Sequence, residues 1–112
     1  MLSKRSSLGK FCVVAISDEF TVISDLQELD IFIDGLALKE VKFIAVRFEK
    51  ISYIYSGALA ILVKNAKKLK ERGGEIVLLE PNRDVDDIMK ITNLHNAIRM
   101  FHSEEELLIN QN

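Results

Sequence analysis

The sequence is poor in cysteine and proline, with one of each in 112 residues. A single thiol cannot form a disulfide within the chain, which favours a reducing compartment. Cys12 lies in an apolar run, so we expect it to be a small buried hydrophobe. No apolar run approaches the roughly 20 residues that a membrane-spanning helix needs, and no secretory signal is recognisable. We therefore expect a cytoplasmic protein that does not bind a membrane.

The charge balance provides no long-range attraction for nucleic acid. The formal net charge is −2, and 48% hydrophobic with 29% charged residues is typical of a soluble globular domain. The one basic stripe contains no aromatic residues and lies mostly at the C-terminal end of a predicted helix, where positive charge is favourable. Its members are Lys64, Lys67, Lys68, Lys70 and Arg72. A solvated helix face is favoured over a nucleic-acid interface.

The sequence contains no motif that assembles a catalytic, metal or phosphate site. CxxC, HExxH, GxxxxGK and GxGxxG patterns are all missing. His95 and His102 stand alone and are expected to be surface or capping side chains. The acidic groups at 86–87 and 104–106 fall at predicted helix N-termini, where the helix dipole explains them better than acid-base catalysis does. We therefore expect a protein that is not an enzyme and binds neither a cofactor nor a metal.

Hydrophobic periodicity predicts alternating strands and helices. Residues 11–16 form a nearly continuous apolar run, as in a central strand that is buried on both faces. Residues 20–23 are predicted to form its antiparallel neighbour. A capping box at 24–27 opens a helix whose apolar positions reach Leu36. Residues 1–10 are expected to be a flexible tail.

The alternation continues through the rest of the chain. Gly73 is expected at the C′ position of the longest helix, Asn82 at the cap of the next one, and Ser103 in a second capping box. The inner face of the helix after Asn82 is predicted to contain Val85, Ile88, Met89 and Ile91. The elements predicted here are the strands 41–48, 75–80 and 98–101 and helices over 58–72, over 83–92 and after Ser103. This order predicts an α/β fold with a small mixed sheet, mostly parallel central strands and about four flanking helices.

The second half of the chain carries recognisable elements in order. It contains ISYIYSGALAIL, a helix ending in ERGGE, a strand, a polar loop, a helix ending in TNL and a short strand. This order resembles the second half of a STAS domain, the family of bacterial anti-sigma factor antagonists, which carries (F/Y)-I-D-S-S-G-L-G, GG and (T/S)-G-L. Tyr53-Ile54, Gly73-Gly74 and 92–94 match these elements, the last with Asn for Gly. A weaker match of DEFT at 18–21 to the family's GELD extends the resemblance over about residues 11–108, and we expect a single STAS-like domain over 11–110.

The resemblance implies a phosphorylation switch, from which this sequence departs at one motif. In the family, the second serine of D-S-S-G is phosphorylated by an anti-sigma factor of the serine-kinase type, and a phosphatase resets it. Here Tyr55 replaces the Asp, Ser56 matches the first serine, and Gly57 replaces the acceptor serine. Ala58 replaces the following glycine. Two interpretations of Ser56 stay open: it caps the helix, or it is a displaced phospho-acceptor.

The family resemblance implies a regulatory protein that controls bacterial transcription by binding an anti-sigma factor. The expected binding face is the helix N-terminus at residues 55–58, together with the neighbouring loops that contain Asp18, Thr21, Asn82 and Arg83. Tyr55 offers a large contact area at a low cost in conformational entropy. The alternative is a STAS module that binds a small anionic ligand, such as a nucleotide, at the same helix end. We expect a monomer, since no strand edge or apolar stripe looks left over.

Overall fold

The computed structural model of the protein describes residues 2–16, 23–48, 56–81 and 83–110. Within these ranges the chain alternates between strands and helices, with a short 3₁₀ turn at Leu94–Asn96. The strands are β1 (Leu2–Leu8), β2 (Phe11–Ile16), β3 (Phe43–Phe48), β4 (Glu75–Leu79) and β5 (Arg99–Phe101). The helices are α1 (Ile23–Leu38), α2 (Ser56–Glu71), α3 (Arg83–Ile91) and α4 (Glu104–Ile109).

The described strands form one sheet in the order β1-β2-β3-β4-β5. β1 runs antiparallel to β2, whereas β2, β3, β4 and β5 are mutually parallel. The predicted α/β class, with a mixed sheet and parallel central strands, is therefore confirmed. Successive parallel strands need crossover connections, which α1, α2 and α3 supply.

The antiparallel partner of β2 comes from the N-terminal side of β2. Leu2–Leu8 pairs with β2 through a two-residue connection at residues 9–10, where Gly9 has a φ of 58°. A positive φ at the first loop position suits the tight turns that join hairpin strands. The prediction of a flexible tail is therefore wrong for residues 2–8. Of the strand predicted at 20–23, residues 20–22 lie outside the described residues, and Ile23 is the first residue of α1.

Both faces of the sheet are buried. All six residues of β2 are buried, as its continuous apolar run predicts. On the face covered by α1, α2 and α3 the core includes Val14, Ile16, Leu29, Ile33, Ile44, Val46, Leu59, Leu62, Leu69, Ile76, Leu78, Val85 and Met89. On the opposite face the core consists of Phe11, Val13, Ala45, Val77, Leu79, Phe101 and Leu107, the last from α4.

The predicted helices occur in the predicted order, but their ends differ: α1 begins at Ile23, so the predicted cap at Ser24 is wrong. Gly73 has a φ of 81°, and the amide of Gly74 donates to Leu69 O at 2.7 Å, so the predicted C′ glycine is confirmed. The structured α2 begins at Ser56, two residues before the predicted start. Ile91 is 80% exposed, so its predicted inward position is wrong, because it lies at the end of α3 beyond the core.

The packing of α1 on α2 includes a polar contact. Asn65 is 2% exposed and donates from Nδ2 to Asp30 Oδ1 at 2.9 Å and to Ile61 O at 3.0 Å. Lys64 Nζ donates to Asp30 Oδ2 at 2.8 Å. The hydrogen bond from Lys64, followed by that from Asn65, lowers the pKa of Asp30.

Asp30→Asn is predicted to reduce the pH dependence of the free energy of unfolding at acidic pH. Because the folded-state pKa is lowered, the ionised carboxylate stabilises the fold above its unfolded pKa of about 3.9, and this contribution disappears as the pH falls through the folded pKa. The stability difference between wild type and variant should therefore be larger at neutral pH than at about pH 3. Urea unfolding across pH measures it, with Asp87→Asn, exposed on α3, as the control. A difference that is constant with pH would contradict the role of Asp30.

Gly74 lies where the end of α2 meets the start of β3. A Cβ atom on Gly74 would lie 2.1 Å from Lys42 O, the oxygen that accepts from Glu75 N at 2.8 Å. The obstacle is backbone held by the β3–β4 pairing, so it cannot rotate away as a side chain can. By contrast, a Cβ on Gly35, within α1, would meet nothing within 4 Å.

Gly74→Ala is predicted to lower the free energy of unfolding by about 2 kcal/mol or more, because the methyl group forces the strand ends apart. Gly35→Ala is the matched control and should raise it by about 0.5–1 kcal/mol, since alanine is the better helix former. Urea unfolding followed by circular dichroism measures both. Equal effects of the two substitutions would show that Gly74 is not sterically required.

Candidate functional site

The carboxyl ends of the parallel strands meet at one edge of the sheet, and the helices that follow them begin there. α2 follows β3 and begins at Ser56, whereas α3 follows the adjacent β4 and begins at Arg83. The topology therefore brings the first residues of two helices to the same edge, as the predicted binding face requires. The structure places Ser56, Gly57 and Ala58 in the first turn of α2 without describing their side chains, and Arg83 is exposed. Tyr55, Asp18, Thr21 and Asn82 lie outside the described residues.

The N-terminus of α2 differs in charge from those of α3 and α4. The first turn of α3 contains Asp84 and Asp86, and that of α4 contains the glutamates at 104–106. α2 has no acidic residue in its first turn. The first amides of a helix point outward and carry partial positive charge, and no carboxylate within the first turn of α2 neutralises it. It is therefore the helix end better suited to an added anion.

An arginine on β3 organises the described part of this edge. Arg47 Nη2 donates to Glu80 Oε1 at 2.5 Å and to Glu104 Oε1 at 3.0 Å. Its side chain is 23% exposed, and its buried Nε finds no hydrogen-bond partner among the described residues. Burial lowers the pKa of Arg47, but the two glutamates, Glu104 first, outweigh it and leave the pKa above its usual value. Arg47 thus connects the end of β3, the residue after β4 and the start of α4.

Sequence reasoning did not identify Arg47 as a site residue. The available signal was a charged residue near the end of the otherwise apolar strand FIAVRF. Its partners could not be inferred, because they lie 33 and 57 residues away in the sequence. Glu80 also has a left-handed φ of 50°, and its amide donates to Phe101 O at 2.7 Å.

The start of α4 is capped as the sequence predicts. Ser103 Oγ accepts from Glu106 N at 3.0 Å, and Glu106 Oε2 accepts from His102 N at 3.1 Å, one residue before the usual capping-box donor. His102 Nε2 lies 3.2 Å from Asp86 Oδ1 in α3. The hydrogen bond from Lys90, together with that from His102, lowers the pKa of Asp86. His102 therefore joins α3 to α4 as a structural side chain.

A cleft of about 550 Å³ lies at the opposite edge of the sheet, away from Ser56. Its lining includes Lys10, Phe43, Lys70, Gly74 and Arg99. Arg99 is held by Glu75 through two hydrogen bonds of 2.6 Å, and Lys10 Nζ lies 4.3 Å from the centre of the Phe43 ring. The cleft therefore does not coincide with the predicted anion site.

The described residues were compared with the requirements of a metal site and of a membrane-spanning helix. They contain no group of three or more His, Cys, Asp or Glu side chains placed to hold a metal ion. In the same part of the chain, none of the helices has the length and apolar character needed to cross a membrane.

Arg47→Ala is predicted to lower the free energy of unfolding by about 1–3 kcal/mol, because it leaves two carboxylates without their shared partner in a half-buried site. Arg99→Ala is the matched control, since Arg99 pairs with Glu75 but is 46% exposed, and it should cost less than about 1 kcal/mol. Urea unfolding of both variants measures the difference. If Arg99→Ala costs as much, Arg47 has no special role at this edge.

Comparisons with known proteins agree with this architecture. The STAS domain profile matches residues 7–107. The anti-sigma factor antagonist SpoIIAA in its unphosphorylated form is 17% identical, with a TM-score of 0.75, 94% of this chain covered and 91% of that one. The Bacillus cell fate determinant SpoIIAA in the phosphorylated form is 15% identical, with a TM-score of 0.72 and full coverage of both chains.

A third solved structure, the protein TM1081 determined by NMR, is 20% identical with a TM-score of 0.71, and 88% of this chain and 80% of that chain are covered. No curated protein sequence matches. At these identities the structural neighbours show the fold, and the profile, which spans most of the chain, shows the family. The chain belongs to the STAS domain family.

Proposed function

We propose that this STAS-domain protein is a non-enzymatic regulator of bacterial transcription that acts as an anti-sigma factor antagonist. Its partner is an anti-sigma factor of the serine-kinase type, bound at the carboxyl edge of the sheet around the start of α2. The observation that carries the proposal is the match in fold to the anti-sigma factor antagonist SpoIIAA, at a TM-score of 0.75 over 94% of the chain. The STAS profile over residues 7–107 supports it independently.

Physical features of the edge support its use as a partner surface. Four helices begin after strands β2, β3, β4 and β5, and Arg47 holds the start of α4 to the ends of β3 and β4. Held in this way, the start of α4 and the ends of β3 and β4 need little ordering when a partner docks, which lowers the cost of binding. Tyr55, Asp18, Thr21, Asn82 and Arg83 are the residues proposed to contact the partner around the first turn of α2.

Ser56 either caps α2 or is a phospho-acceptor displaced by one position from the family's usual serine, where Gly57 stands; we propose the second role for testing. Because the first turn of α2 has no acidic residue, a phosphoryl group there would gain from the helix dipole and from the outward amides. The same dianion would disrupt a partner interface that contains acidic or apolar groups.

A second candidate function is the binding of a small anionic ligand, such as a nucleotide, at the N-terminus of α2. It is favoured by the same lack of acidic residues in the first turn of that helix. Thermal unfolding with a nucleotide panel distinguishes the two functions, because a ligand that binds the folded state raises the melting temperature.

Ser56→Asp is predicted to weaken binding to the cognate anti-sigma factor at least tenfold, because it places a negative charge where the partner docks. Ser7→Asp adds the same charge at an exposed position of β1 and should leave the affinity unchanged. Each serine-kinase-type anti-sigma factor encoded by the source genome would be purified and its affinity measured by calorimetry. After incubation with ATP, mass spectrometry would then locate any phosphate.

The outcomes separate three cases. Release by Ser56→Asp and phosphate on Ser56 support a switch with a displaced acceptor. If wild type and Ser56→Asp bind equally and no phosphate is found, the protein is an antagonist that phosphorylation does not regulate. If none of these anti-sigma factors binds wild type, the proposal is wrong, and a stabilising nucleotide would then favour the second function.

A further inference from the structure

The outer face of α1 carries two large apolar side chains in water. Ile31 is 71% exposed and Leu38 is 75% exposed. They are seven residues apart, which is close to two helical turns, so they lie on the same face of α1. Asp34, which is also exposed, lies between them. A single exposed leucine needs no explanation, but an aligned pair of such side chains marks a candidate contact surface.

The charges of α1 are unbalanced, and the helix dipole explains this imbalance only at the first turn. Residues 23–38 include four acidic residues and no basic residue, and the last turn has no cation. The helix dipole favours Asp25, in the first turn, but it gives no advantage to Asp30 and Asp34 farther along α1. Asp30 is neutralised by Lys64 of the same chain, whereas Glu28 and Asp34 are exposed around the apolar pair.

The neighbouring helix carries the opposite charge. Lys64, Lys67 and Lys68 are exposed along α2, and Lys64 and Lys67 lie in its middle, away from the last turn that the dipole favours. The two helices pack side by side, joined by the contacts of Asp30 with Lys64 and Asn65. The helix layer therefore presents an acidic strip with an apolar centre, Glu28, Ile31, Asp34 and Leu38. Next to it lies a basic strip, Lys67 and Lys68 together with Lys64, which already pairs with Asp30.

We infer that the helix layer pairs with that of a second copy of this chain, with the acidic strip of each copy against the basic strip of the other. A two-fold axis between α1 and α2 makes both contacts at once, as an isologous interface requires. The lysine stems cover Ile31 and Leu38 while the ammonium groups meet Asp34 and Glu28. Pairing of α1 with α1 would set acid against acid and is disfavoured.

The net charge of −2 adds little repulsion between two copies. The sequence-based expectation of a monomer assumed that no apolar stripe is left over, and Ile31 and Leu38 form such a stripe. The inferred interface does not use the proposed partner site, since Lys64 lies eight residues beyond Ser56, about 12 Å along α2. It can therefore succeed or fail independently of the anti-sigma role.

Analytical ultracentrifugation with two complementary charge variants tests the inference. The acid-to-base variant carries Glu28→Lys and Asp34→Lys, and the base-to-acid variant carries Lys67→Glu and Lys68→Glu; all four positions are exposed, so we expect both variants to fold. Wild type should approach twice its 12.7 kDa mass with rising concentration. Each variant alone should remain monomeric because acid then meets acid or base meets base. An equimolar mixture should restore the dimer, since each strip again faces its opposite.

Two further samples complete the experiment. Ile31→Ser with Leu38→Ser should weaken the dimer without altering the charge pattern, and circular dichroism confirms that each variant is folded. A wild type that stays at 12.7 kDa up to about 1 mM overturns the inference. So does a wild-type dimer that the charge variants leave intact, or a mixture of the two variants that stays monomeric.

Discussion

The parallel register of β2, β3, β4 and β5 is the constraint on which the rest of the structure depends. Because these strands point the same way, each chain segment must cross back over the sheet before the next strand, and the helices do so. The carboxyl ends of these four strands and the starts of the helices that follow them are thereby gathered at one edge. The same register buries the central strands on both faces, which is why residues 11–16 can be uniformly apolar.

Arg47 is a charged residue in an otherwise apolar strand, and its position lets it connect the ends of two strands to the start of α4. It lies one residue before the end of β3, where an aliphatic side chain would pack against Ala45 and its neighbours. Desolvating a guanidinium is costly, and its Nε lacks a partner among the described residues. Glu80 and Glu104 compensate, and in doing so they fix the start of α4 to the strand ends. Specific positioning of the edge, more than stability, is the better explanation for such a group.

Local sequence signals predicted the elements whose stability is local. The apolar stripe of α2, the C′ glycine and the Ser103 cap were recognisable because their interacting residues lie within a few positions of each other. β1 was missed because its sequence LSKRSSL is polar, as suits an edge strand, and its order comes from pairing with β2. At the candidate site, the start of α2 predicted from the sequence lies two residues from the start in the structure, Ser56.

The role of Arg47 could not be predicted in the same way, because its partners join it only through the assembled sheet. The exposure of Ile31 and Leu38 was equally hidden. Periodicity identified the inner stripe of α1, but it does not show whether apolar residues outside that stripe are covered. Both cases depend on where other elements lie, which a single sequence does not display.

α2 takes part in both proposed surfaces, which raises the question of whether they communicate. Its N-terminus would receive a partner or a phosphoryl group, and its middle would meet the second copy. Lys64 lies about 12 Å along the helix from Ser56, beyond the Debye length of about 8 Å at physiological ionic strength. A charge added at Ser56 is therefore largely screened from the basic strip. Coupling between the surfaces would need movement of α2, which its buried stripe and the Asn65–Asp30 contact oppose. The two surfaces should accordingly act independently.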